Sequence, residues 1–523
     1  MKTPSVLLVA SLTLLFVINA ACQKAGGTAE RSKTRYVDNA AASNGNGSTW
    51  SAAWNSFSSI AWDKIRAGDT IVISGGAVSK TYHEQLYVRK SGTDSLPVVI
   101  ACGQTAGHNG KVIIESRDPY CALKIGDSTH DVMVNGEYRG TCNIVIQKSR
   151  GEGVGLDGDA SHIALKYLEI RDNGHKDNEH GIHIQVEKYA SPIVEISYCS
   201  IHDNWQDQIN VNGPTSPTTD YDQIIIHDND IGFLSDDGIE CAAGGVTFYN
   251  NRVHDITDQK RGEGHPDGMQ MYQGHLRIYN NTFSNFHAIN SDIFIELWDE
   301  PQSRPDGNVY IYNNVLYESK ISKVKDDYFR GIDCRVGTLG GITQLSNVLI
   351  ANNTLVNIPA WGILLDPNLP ADKVSNIQLV NNIVYNCFTI GGGQAISVGD
   401  EGRTYSIGPA NSGAQVICDY NIISAGADGT SDVGFMEKIY NYDQWTSITL
   451  CNKHGNNKDP FLDKSFIPNP TLSSAIGSAM DLSTMFSTDF RFKPRPAAAW
   501  DIGAFQCAPN NAPTNSKSKK AHK

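Results

Sequence analysis

VTFYNNRV (246–253), LRIYNNTF (276–283) and VYIYNNVL (309–316) repeat one phrase, in which two short apolar runs flank a pair of asparagines. The second Asn of the pair has counterparts along the chain: Asn173 in RDN, Asn204 and Asn229 in HDN, Asn251, Asn281 and Asn314 in YNN, Asn353 in ANN, Asn382 in VNN and Asn421 in DYN, spaced 22 to 39 residues apart. A repeat of that length marks a solenoid, and apolar runs this short read as strands broken by a bend. Asn tolerates the left-handed backbone that such a bend demands, and its carboxamide can bond to the same position in the next coil. The expected fold is all-β, a right-handed parallel β-helix with an Asn ladder.

The 523 residues fit one such solenoid, which lengthens in one direction without a second core. A formal net charge of −13 argues against holding nucleic acid or another polyanion by general electrostatics. An anionic ligand would need local neutralisation, by a bound cation or a small basic cluster.

At the N-terminus, Lys2 precedes an apolar run from Val6 to Ile18 that is too short to span a bilayer, and INAAC (18–22) contains its end. This stretch resembles a bacterial lipoprotein signal with Cys22 as the acylated residue, although the usual Leu is Asn19 here, which leaves ordinary cleavage near Ala20 open. Residues 1–22 are expected to be a signal peptide and 23–35 a polar tether. The protein is then exported, with a lipid anchor to the outer membrane as the first expectation and secretion as the alternative. Residues 36–475 are assigned to the β-helix with its N-terminal cap, in which Phe57 to Ile65 has the pattern of a short capping helix. Residues 476–507 read as a C-terminal cap and 508–523 as a disordered basic tail. Ten cysteines remain after Cys22, which permits disulfides in an exported protein without fixing any pairing.

A second phrase recurs out of phase with the first: HGIHIQ (180–185), DQINVN (207–212), DGIECA (237–242), DGMQMY (267–272), RGIDCR (330–335) and WGILLD (361–366). Its third position is always apolar, so strand alternation sends the fourth outward: His183, Asn210, Glu240, Gln270 and Asp333. Asp207, Asp237 and Asp267 open the phrase on a bend, with Asp236 just before one of them. In SDIFIELWD (291–299), inward Ile293, Ile295 and Leu297 would leave Asp292 and Glu296 outward. Adjacent strands lie about 4.8 Å apart, so these groups would form one acidic face. An isolated Asp at a bend is more often a turn former than a catalyst. Stacked like charges, however, repel unless they bind a cation or hold a proton.

LSDDGIE (234–240) resembles the SDDGWD segment of polysaccharide lyase family 9, a family of calcium-dependent β-helix lyases. The resemblance covers about two coils and implies Ca²⁺ held by Asp207, Asp236, Asp237 and Glu240, hard oxygen ligands that suit it. It also implies β-elimination on a uronate-containing polysaccharide, in which the cation neutralises the carboxylate and a base removes the adjacent C–H proton. The family's catalytic lysine aligns with Gln270, which cannot act as a base. Lys260, Arg261 and His265 on the loop DQKRGEGHPDG (258–268), and Arg335 farther on, are the remaining candidates. Asn210, Gln270, Glu296, Trp298 and Asp333 are candidate substrate contacts.

Two other readings remain open. PDGMQ (266–270) resembles the TDGID phrase of polygalacturonase-type β-helices, implying an inverting hydrolase in which Asp236, Asp237, Asp267 and Asp292 divide the acid and base roles. Two coil spacings match the roughly 6.5–9.5 Å that inversion requires. The third reading is a non-catalytic glycan binder using Trp205, Trp298 and Trp361, although each Trp singly is more often packed against a loop. A monomer acting on a polysaccharide is the working expectation.

Overall fold

The computed structural model describes residues 32–507 apart from short internal segments, the longer of which are 188–191, 214–219, 257–265, 287–290, 298–303, 320–328, 388–395 and 399–406. Cys22, Lys260, Arg261, His265 and Trp298 lie outside the described residues, as do the expected signal peptide and basic tail.

Each coil contributes one strand to each of three sheets. Leu276–Tyr279, Thr282–Ser284 and Ser291–Leu297 form one coil, and Arg304–Tyr312, Val315–Tyr317 and Arg330–Val336 stack on them in parallel register. Among the described residues the three sheets hold fourteen, twelve and thirteen strands, and the third ends in an antiparallel pair, Val433–Phe435 with Lys438–Tyr440. β-Branched side chains suit this stacking because they pack against the same position above and below. Ile182, Ile209 and Ile239 align in one inward column, and Ile293, Ile332, Ile363 and Ile396 continue it, all fully buried. Each contributes about 1.5–3 kcal/mol of burial. The chain is an all-β parallel β-helix.

The nine asparagines form two ladders rather than one. Asn229, Asn251, Asn281, Asn314, Asn353, Asn382 and Asn421 lie between the first and second sheets and continue to Asn452. Asn173 and Asn204 lie after the second sheet, where Asn173 bonds to Asn204 and Asn204 to Gln208 Oε1 at 2.7 Å. The two tasks expected of one Asn are also divided. The residue before each of the nine takes the left-handed backbone, with φ of 56° at Asp228, 53° at Asn250 and 57° at Asn280. The ladder residue itself points inward.

Both ends of the solenoid are plugged. Phe57 to Ile65 is not a helix. Only Trp62–Lys64 makes a single 3-10 turn, because local bonds such as Ser59 N–H to Ser56 Oγ at 3.1 Å, and Glu84 accepting from Phe57 N–H at 2.8 Å, compete with helical ones. Phe57, Ile60 and Ile65 nevertheless cover the first coil. At the other end the helix Tyr442–Thr449, capped by Asn441 and Gln444, buries Tyr442 and Trp445. No disulfide joins the ten described cysteines.

The C-terminal segment folds back along the flank of the solenoid instead of over its end. Asn280, Asn313, Asn352 and Asn381, the left-handed residues of four coils, donate their carboxamides to the backbone carbonyls of Asp489, Thr488, Asp501 and Met480. Phe486 stacks on Tyr312 at 4.4 Å and extends the pile Tyr249–Tyr279–Tyr312. Small Ala351, opposite Tyr312 in the next coil, leaves room for it.

Candidate functional site

The second sequence phrase lies on the third sheet, and its register is continuous. His183, Asn210 and Glu240 pair in turn, Glu240 pairs with Gln270, Gln270 with Phe294, and Phe294 with Asp333. Phe294, which the sequence reading did not single out, therefore interrupts the polar column. Asn210, Gln270 and Asp333 belong to the outward column yet are buried.

Asp207, Asp237 and Asp267 stack on the bend as a carboxylate ladder. Asp207 Oδ1 accepts the N–H of Asp237 at 3.3 Å, Asp237 Oδ1 that of Asp267 at 2.7 Å, and Asp267 Oδ1 that of Ser291 at 2.6 Å. His180 stands before the ladder, its Nδ1 3.1 Å from Asp207 Oδ2, and its carboxylate neighbours raise its pKa against the opposing effect of burial. Burial, with Asp267, Asp207 and Asp236 alongside, holds the Asp237 carboxyl well above the usual range.

Glu240 joins this cluster from the outward column. The Asn210 amide donates to Asp207 Oδ2 at 2.9 Å and to Glu240 Oε2 at 2.8 Å, tying the two carboxylates together. The Tyr272 hydroxyl donates to Glu240 Oε1 at 3.3 Å. Burial and the nearby Asp207 push Glu240 up to about 7. Asp236 accepts from the Gln206 amide at 3.3 Å. The four expected calcium ligands are thus neighbours, but Asp207 and Asp237 spend oxygens on backbone N–H groups. Among the described residues no three carboxylate, imidazole or thiol groups converge as a metal centre requires. The donor chemistry suits a hard cation, whereas the arrangement is not a preformed cage.

Asp292 faces inward, contrary to the outward placement that alternation suggests. It stands opposite Gly331 and follows Gly181, Gln208, Gly238 and Gly268 in the column at the second-to-third-sheet corner. A Cβ at Gly268 would lie 2.8 Å from the Phe283 ring and 3.1 Å from that of Phe286, which places this column over the interior. Asp292 is fully buried, and burial together with Glu318 and Asp267 raises its pKa well above the usual value. It cannot share an exposed catalytic face with Asp236, and Asp237 and Asp267 are themselves buried.

Two coils beyond Gln270 the charge reverses. Asp333, fully buried, has Arg330 Nη1 at 3.2 Å and Arg335 Nη2 at 3.7 Å, while Glu296 Oε1 is 3.8 Å from Arg335 Nε. Arg335 lies 4.6 Å over Phe294, and Arg330 5.3 Å over the Trp361 ring. Burial raises Asp333 to about 6 against the pull of both guanidinium groups. Arg335 keeps 31% of its side chain exposed, so its position is fixed but its charge remains available. Arg330 and Phe294 had no signal of their own in the sequence and emerge only from the register.

No family model matches the chain. The curated relative YwoF of Bacillus subtilis (strain 168), an uncharacterized protein, is 23% identical over 316 residues, 56% of this chain, and the chain spans only 63% of that relative's length. Among solved structures, the PL6 family polysaccharide lyase Pedsa3628 from Pseudopedobacter saltans is 12% identical with TM-score 0.43, over 84% of this chain and 95% of the other. The GH136 lacto-N-biosidase from Eubacterium ramulus is 13% identical with TM-score 0.41, over 68% and 64%. Pectate lyase Pel9A is 14% identical with TM-score 0.35, over 91% and 96%. The three stacked parallel sheets with their inward ladders make this chain a parallel β-helix, the fold that these structures share.

Proposed function

We propose that the chain is a polysaccharide-degrading enzyme whose outward third-sheet face takes a uronate-containing polymer and cleaves it by β-elimination. The observation that supports this most is Arg335. It is a half-exposed guanidinium held by Glu296 and Asp333 over Phe294, on a face otherwise rich in carboxyl groups. A planar guanidinium receives a carboxylate through paired hydrogen bonds, and neutralising a uronate carboxylate acidifies the adjacent C–H. Asp333 is the positioning residue, because its buried carboxyl holds both arginines. The loop carrying Lys260, Arg261 and His265 leads directly into Asp267 and supplies the remaining candidate bases.

Calcium is a separate part of the proposal. Asp237 and Glu240 crowd Asp207 and Asp236 beyond what all four can carry as free anions, and a cation would relieve that crowding. No step of the elimination is routed through it. Export, with Cys22 as the lipid anchor, is likewise proposed from the signal-like N-terminus.

A hydrolase is the second reading, favoured by one feature. Glu240, pushed up to about 7, retains a proton near neutrality, as a general acid must. Ultraviolet absorbance of unsaturated product, followed on pectic, alginate, glucuronan and glycosaminoglycan polymers with calcium or chelator, separates the readings. The lyase reading expects rising absorbance that Arg335→Ala lowers by about 100-fold or more. New reducing ends without absorbance would replace it by the hydrolase.

A further inference from the structure

Across the solenoid from the third sheet, the corner between the first two sheets carries a groove already used as a binding surface along part of its length. The left-handed residues of successive coils form one outer column: Tyr167, Tyr198, Asp228, Asn250, Asn280, Asn313, Asn352 and Asn381. From Asn280 to Asn381 the returning C-terminal segment fills it, held by carboxamide donors. Beyond Phe490 the covering stops. The groove continues open for about 380 Å³, lined by Phe490, Asn250, Arg252, Asp230, Asp228 and Tyr198.

We infer that this open stretch is a second, non-catalytic glycan-binding site for a linear polysaccharide. The covered part is suited to a polypeptide because its amides face backbone carbonyls. The open part differs in chemistry. Asn250 already gives its amide to Asp228, and Asp228 Oδ2 is held by His227 Nδ1 at 2.6 Å. Asp230 is held by His254 Nε2 at 2.5 Å and by Arg252 at 3.3 Å. What remains presented is a set of fixed carboxylate acceptors, which match the hydroxyl donors of a sugar. Tyr198, 43% exposed and stacked on Tyr167 at 4.9 Å, adds a flat ring face. Aromatic face and fixed polar rim together are the pattern of a site that is apolar on one side and wet on the other. The choice of ligand class rests on the polysaccharide reading above, whereas the site shares no residue with the third-sheet face.

Affinity electrophoresis of the full chain through gels containing pectic, alginate, glucuronan, glycosaminoglycan, xylan or β-glucan polymer tests the assignment. It is run in the Arg335→Ala background so that the other face contributes least. Tyr198→Asn and Asp228→Gly remove the ring and a carboxylate acceptor while suiting a left-handed backbone, and unchanged thermal unfolding confirms that they fold. At least one polymer is expected to retard the Arg335→Ala protein, and the added pair of changes is expected to weaken binding by about tenfold, the scale of one stacked ring. Retardation that survives the pair, or no retardation by any polymer, overturns the inference. Retardation that the pair abolishes, with none of the uronate-containing polymers cleaved by the wild type, leaves this site standing and removes the lyase reading. Cleavage without retardation does the reverse.

Discussion

The two corners of the solenoid solve the same problem with different chemistry. Between the first and second sheets, each ladder Asn accepts a backbone N–H from the coil before, as Asn314 does from Asn281 at 3.0 Å, and donates its amide onward to Asn353 at 3.0 Å and back to the Ile278 carbonyl at 2.9 Å. Donors and acceptors balance, so the stack closes on itself without charge. At the bend before the third sheet, Asp207, Asp237 and Asp267 accept the equivalent N–H groups but have nothing to donate. Charge therefore accumulates and is met by His180, by Asn210 and by protons retained on Asp237 and Glu240. An amide ladder completes a structure, and a carboxylate ladder leaves a demand that another group must meet.

The strongest test of that contrast is Asn314→Ala, which orphans the Asn281 N–H and takes an acceptor from the Asn281 amide in a fully buried place. It should cost about 2–4 kcal/mol in denaturant unfolding. A loss within experimental error would mean that the ladder does not hold the coils. Exchanging the chemistry is more discriminating. Asn314→Asp should destabilise by about 1–3 kcal/mol, whereas Asp237→Asn, which keeps the acceptor for Asp267 and removes a charge, should leave stability unchanged or raise it by about 1 kcal/mol. Equal signs for the two would erase the distinction between the corners.

Acidity offers a smaller effect. On the first sheet Glu195 accepts from Lys166 at 2.6 Å and lies 3.1 Å from His227 Nε2, and these partners bring its pKa down to about 2 against burial. Because the folded value lies below the unfolded one, this stabilisation is present above about pH 4.5 and is lost as the pH falls through about 2. His227 is shifted upward, so its share is complete below its ordinary value and fades as the pH rises through the folded one. Thermal unfolding across pH should record both slopes, and Glu195→Gln should flatten the acid limb. If calcium binds at the carboxylate bend, it should raise the melting temperature by about 2–4 °C, reversibly with chelator. Glu240→Gln should abolish that shift, and a shift that survives the substitution would place the ion elsewhere.

The fold is legible in the sequence because both phrases encode it twice, once in the bends and once in strand alternation. The assignment of each Asn to a corner is not. Both corners ask for the same pair, a left-handed residue followed by an inward amide, so RDN and HDN look alike whether they precede the second sheet or the third. Alternation places Glu240, Glu296 and Asp333 correctly. It fails at Asp292, although that residue lies within Ser291–Leu297, because its column runs along the corner between the second and third sheets, where the neighbouring coils carry Gly or an inward Gln208. The bend aspartates are visible as a cluster, but their bonds to the next coil's N–H groups depend on a register that no single phrase carries. Arg330 and Phe294 matter only through neighbours from other coils.

The returning C-terminal segment changes how the molecule would respond to load. A stack in which each coil touches only its neighbours can fray from an end one layer at a time. Here one stretch of chain is tied to four successive layers through Asn280, Asn313, Asn352 and Asn381, with Arg495 donating to Asn313 Oδ1 at 2.9 Å. Peeling the last coils must first strip this splint from its outer column. A pull on the carboxyl end therefore meets a zipper running along the solenoid before it reaches any β-sheet.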